Sequence, residues 1–135
     1  MKYQSIKKYK YKLAETFVIQ TPFLEMGFTH ELFVLKDNGS LVINIGYLWD
    51  GVSGPTWDTN STMIPGLVHD AFYQAIRLML IPVYMKEKID EFFYVLMLRY
   101  KVWKTRAKYF YQAVKTLGHK SCVPGNIQIP EVIEV

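Results

Sequence analysis

From His30 the sequence reads HELFVLKDNGSLVINIGY, two apolar runs, Leu32 to Leu35 and Leu41 to Ile45, separated by Asp37-Asn38-Gly39. Asn and Gly accept the positive φ of a primed hairpin turn, so the stretch predicts two antiparallel strands. Upstream, Tyr9 to Gln20 mixes Tyr, Phe, Val and Ile with Lys, a pattern that predicts one or two further strands of the same sheet. Past the hairpin the period changes. Leu67, Val68, Phe72, Ile76, Met79 and Leu80 recur at helical spacing and predict a helix from Gly66 to Leu80 that must stop before Pro82. A second helix, Lys86 to Tyr100, places Ile89, Phe92, Phe93, Leu96 and Met97 on one face. A third runs to Leu117, with Thr105 as its cap and Gly118 as a left-handed stop. Between the two halves, Gly46 to Pro65 has the Gly, Pro, Asp, Ser and Thr content of a loop, and it holds Trp49 and Trp57. The tail, KSCVPGNIQIPEVIEV, predicts an extended arm or late edge strand over residues 121–135. The expected fold class is α+β: a small antiparallel sheet of N-terminal hairpins followed by a three-helix unit, one domain over residues 1–120.

Composition narrows the class. A chain of 135 residues is about one domain's worth, and with 50% hydrophobic and 21% charged residues it buries a core rather than staying disordered. One cysteine, Cys122, excludes a disulfide framework and a Cys-rich zinc site. The N-terminal lysines precede no uninterrupted apolar region, so no signal peptide is expected. The apolar run from Leu78 to Tyr84 contains Pro82 and falls far short of the ~20 residues of a spanning helix.

The candidate chemistry centres on His69, Asp70, Tyr73 and Asp90. On a helix His69 and Tyr73 share a face, while Asp70 points about 100° away. A carboxylate reaching over from the next helix, Asp90, would hold one ring nitrogen of His69 and leave the other to activate water. Asp70 would then supply oxygens to a hard cation, helped by carbonyls of the loop Trp49-Asp50-Gly51-Val52-Ser53-Gly54, with Asp50 either a further ligand or a turn residue. Each residue also has a structural role open to it: Asp70 and Asp90 in helix first turns, Tyr73 in the core with a satisfied hydroxyl. Other chemistries fail on pattern. Ser53 lies in Val-Ser-Gly-Pro rather than a nucleophile elbow, and no P-loop or dinucleotide fingerprint is present. A His-Asp phosphohydrolase needs further helical ligands, whereas His30 falls in a predicted strand and His119 lies past a helix end. Net charge is +4, with lysines alternating with Tyr9 and Tyr11 and a second basic group, Lys101, Lys104, Arg106 and Lys108, interleaved with Trp103, Tyr109 and Tyr111. Such residues form a solvated face that guards a sheet edge, or, in a lipase, seat the domain on an anionic bilayer surface, and no specific nucleic acid partner is expected.

GYLWDGVSGP, LVHDAFYQ, KIDEFFYVL and YFYQAVKTLG, in that order from Gly46 to Gly118, resemble the phage and prophage family known as domain of unknown function 1353, with Gly54 interrupting its Asp-Gly-x-Ser-x-Pro loop. That resemblance implies a phage protein, in the host cytoplasm or a virion. His69-Asp70-x-x-Tyr73 followed by Asp90 is also similar to the core of phospholipase A(2) domains, without the cysteines that flank the pair in the secreted enzymes. This second likeness implies a calcium-dependent esterase in which His69 activates water, Tyr73 and Asp90 orient it, and Asp70 lies at the calcium with Trp49, Gly51 and Gly54 in the place of the calcium loop. The expected partners are then membrane lipid or a phage or host protein, and the sequence sets no oligomeric state. The alternative expectation is a non-enzymatic virion, tail or host-interaction protein in which the same residues form a structural network.

Overall fold

The computed structural model describes residues 1–5, 11–49, 60–118 and 122. The fold class is α+β: two small antiparallel sheets built from N-terminal strands, followed along the chain by three helices. The described residues divide into two compact units, one over residues 1–49 and the other over residues 60–118 with 122.

In the first unit, β1 (Tyr3–Ser5), β2 (Tyr11–Leu13) and β7 (Leu48–Trp49) form one sheet in the order β1-β2-β7. The other has the order β3-β6-β5-β4, from β3 (Phe17–Gln20), β4 (Phe28–Thr29), β5 (Phe33–Leu35) and β6 (Ser40–Ile43). Period-two patterning sets its register: Phe33 faces Ile43 and Leu35 faces Leu41, all four buried, while Val34 and Val42 between them are half-buried. The expected hairpin is present, but its turn is not a primed one. Among Asp37, Asn38 and Gly39 only Gly39 has positive φ (90°), and the Gly39 N–H bonds the Lys36 carbonyl while the Lys36 N–H bonds that of Ser40. This is a three-residue connection closed by one left-handed glycine. His30, expected in a strand, instead sits in the β4–β5 turn, where its Nδ1 accepts the Leu32 N–H at 3.1 Å.

In the second unit α1 spans Asn60–Arg77, six residues earlier at its start than the predicted helix. Pro65 lies inside it. The proline removes a donor only near the N-terminus, where few intrahelical bonds are lost, and burial of Thr62 and Met63 carries the helix upstream. Its end, and that of α2 (Lys86–Arg99), lack the glycine that usually marks a stop. Met79 and Lys101 take the left-handed position themselves, at φ 59° and 69°, with Leu80 N–H bonded to the Ala75 carbonyl and Val102 N–H to that of Met97. A single 3-10 turn, Val83–Met85, follows Pro82 and leads into α2. The third helix, α3 (Lys104–Leu117), has Trp103 rather than Thr105 at its N-cap, and Gly118 is right-handed at φ −77° rather than left-handed. Phe93, Met97, Val102, Ala107 and Phe110 form the core where α2 meets α3. Among the described residues no helix is long and apolar enough to cross a membrane. The arm expected over residues 121–135 falls outside the described residues apart from Cys122.

Candidate functional site

His69 and Tyr73, four residues apart on α1, face the same way, and their ring centroids are 4.0 Å apart. Phe93 of α2 covers the imidazole at 4.4 Å. Lys86 and Asp90 are likewise four apart, on the opening turns of α2, so that each helix contributes two polar residues to one cluster. Asp90 is its hub. One carboxylate oxygen, Oδ1, accepts from His69 Nε2 at 2.9 Å and from the Tyr73 hydroxyl at 2.6 Å. The other, Oδ2, accepts from Lys86 Nζ at 2.7 Å. Lys86 also donates to the Val114 carbonyl in the last turn of α3 at 3.0 Å, tying the third helix to the cluster. Exposure is 6% for His69, 4% for Tyr73, 8% for Lys86 and 2% for Asp90.

Burial and hydrogen bonding fix the charges. Burial alone raises the Asp90 pKa, but bonds from His69, Lys86 and Tyr73 outweigh it and hold the carboxyl below its ordinary range, so it is a carboxylate. For His69 burial dominates over the pull of Asp90 and lowers its pKa, keeping the ring neutral at pH 7. A carboxylate only accepts, so Nε2 carries the ring proton and Nδ1 carries the lone pair. The Tyr73 hydroxyl is held protonated, first by burial and then by its bond to Asp90. Cys122 is buried too, and burial pushes its thiol up to about 12.

The structure thus brings together His69, Tyr73 and Asp90. Asp70 is half-buried on α1, turned by one residue from His69, and is not part of the Asp90 cluster. Trp49, read as a loop residue, is in β7, where it pairs with Tyr11 across the strands and is buried. Asp50 and Gly51, together with Ser53, Gly54, Trp57, Asp58 and His119, lie outside the described residues. Calcium takes six to eight oxygens. Among the described residues no group of three or more His, Cys, Asp or Glu could hold a metal ion, and Asp50 and Gly51, expected beside Asp70, lie outside them.

Two participants escaped the sequence reading. Lys86 enters the sequence reading only as the first residue of the second helix, yet it lies on the inward stripe with Ile89, Asp90, Phe93 and Met97, four residues ahead of an acid that needs a partner. Gly118 reads as a conformational stop, but its role is close approach. A Cβ there would come to 2.5 Å from the Tyr73 hydroxyl and 2.5 Å from the Val114 carbonyl. No family profile, curated protein or solved structure matches the chain.

Proposed function

We propose that the chain is a hydrolase, of phospholipase-like type and phage origin, in which His69 is the general base. The observation that carries this reading is the shared oxygen of Asp90. By accepting from the Nε2–H and from the Tyr73 hydroxyl together, it fixes the neutral ring with its lone pair on Nδ1. Such a base takes a proton from water as the water oxygen attacks an ester carbonyl. Asp90 stabilises the imidazolium that forms, and the ring then returns the proton to the departing alkoxide. Lys86, on the far oxygen, keeps Asp90 ionised throughout. The resemblance to phospholipase A(2) domains adds calcium at Asp70 to the proposal as an arm of its test.

A second reading, a non-enzymatic phage component with a structural network, is favoured by the burial of all four polar side chains. Reachability separates the two. Diethyl pyrocarbonate acylates a neutral imidazole only where a ring lone pair meets solvent, and mass spectrometry locates the adduct. A base that works on water is expected to be modified at His69 in the folded protein, with and without calcium. Modification only after unfolding would favour the structural network and remove the hydrolase.

A further inference from the structure

We propose that the exposed face of α3, headed by Trp103, is a docking surface for an anionic phospholipid bilayer. At 100° per residue Lys104, Lys108 and Lys115 fall within about 40° of one another, and all three are exposed, while Ala107 and Phe110, about 80° and 140° round the helix from that stripe, are buried in the core. Between Glu91 and Glu131 the sequence contains no Asp or Glu, so every ionised side chain on α3 and its flanks is a cation. Among the described residues no carboxylate pairs with any of the three lysines. An ordinary solvated helix face mixes both signs; this one is complementary to negative charge alone.

The apolar part of the surface points to lipid. Trp103 is 84% exposed at the head of the helix. An indole left in water is costly, whereas at the headgroup level of a bilayer both its ring and its N–H are satisfied. Lysine stems lie along such a boundary with their ammonium groups among the phosphates. Leu98, exposed in the last turn of α2 just ahead of Trp103, adds aliphatic surface that an acyl boundary takes up and on which bases do not stack. The surface does not rest on the chemistry at His69.

The test is co-sedimentation of the full chain with vesicles of equal phosphatidylglycerol and phosphatidylcholine, against vesicles of phosphatidylcholine alone. Binding is expected to the first and not to the second, and it should disappear as salt rises from 0.1 to 1 M and the screening length falls from about 10 to about 3 Å. At about fivefold per lysine, the triple variant Lys104→Gln, Lys108→Gln, Lys115→Gln should bind roughly a hundredfold more weakly. All three positions are exposed, so its circular dichroism and melting midpoint should match the wild type. Trp103→Phe should abolish the blue shift of tryptophan emission on vesicle addition. Equal binding to both vesicles, no binding to either, or full binding by the triple variant would overturn the proposal. So would a single-stranded oligonucleotide that binds this face more tightly than the anionic vesicles.

Discussion

Replacing Asp90 by Asn changes one oxygen for one amide and tests whether the cluster is held by charge. The carboxylate is 2% exposed and accepts three donors, two on Oδ1 and one on Oδ2. The amide keeps an oxygen for His69 and Tyr73 but turns its NH2 toward Lys86 Nζ, donor against donor, and leaves a buried ammonium with only the Val114 carbonyl. Breaking a buried pair by removing one partner costs about 3–5 kcal/mol. That should lower the melting midpoint by more than roughly 10 °C. The second arm of the cycle is Lys86→Met, which leaves the carboxylate with two neutral donors, and the third is the double variant, in which neither charge is stranded. Thermal and urea unfolding of all four proteins give the coupling, and the double variant should recover at least 2 kcal/mol relative to the sum of the singles, on the order seen for contacting buried pairs. A loss below about 1 kcal/mol for Asp90→Asn, or strict additivity in the double variant, would refute a charge-held cluster.

Acid should weaken the fold through His69. Its folded pKa lies below the unfolded 6.5, so between those values the unfolded chain binds a proton the folded one refuses, and stability falls as pH drops below 6.5. The slope is about 1.4 kcal/mol per pH unit in that window, and His69→Gln should flatten it in urea titrations between pH 7.5 and 5. Asp90 acts at the other end: its folded value is below 3.8, so its contribution is complete above 3.8 and is lost as pH falls through the lower folded value. Gly118→Ala, harmless to a right-handed backbone, should still cost about 1–3 kcal/mol because its methyl meets the Tyr73 hydroxyl and the Val114 carbonyl; a gain in midpoint would contradict that close approach. Met79→Gly should raise the midpoint, since an exposed non-glycine residue at φ 59° carries about 1 kcal/mol of strain, and calorimetry reads the difference.

What the sequence revealed and what it hid divide along the reach of each interaction. Apolar spacing places all three helices, and alternation pairs Phe33 with Ile43 and Leu35 with Leu41, because both patterns are local and repeat. His69, Tyr73 and Asp90 are legible as a set since two share a helical face and the third opens the next helix. The start of α1 is hidden because Asn60, Ser61, Thr62 and Pro65 carry loop chemistry, which burial of Thr62 and Met63 overrides. Helix ends at Met79 and Lys101 are hidden because neither residue signals a left-handed stop. Lys86 and Gly118 matter through partners on other helices, the Val114 carbonyl 28 residues away in one case and Tyr73 in the other, and no local pattern encodes such distances.

The central claim, that His69 activates water against an ester, is met most directly by fatty acid release. Phosphatidylglycerol vesicles are incubated at pH 7.5 and 25 °C with wild type and with His69→Gln, each with and without calcium, and free fatty acid is titrated over time. The variant is expected to keep its fold with a loss of about 1–2 kcal/mol, because the Gln amide can still donate to Asp90, and circular dichroism at 25 °C checks this. Steady release by the wild type and at least a hundredfold less by the variant is the expected result, the size of a general-base contribution. No release by the wild type under either condition, or equal release by both proteins, would contradict it.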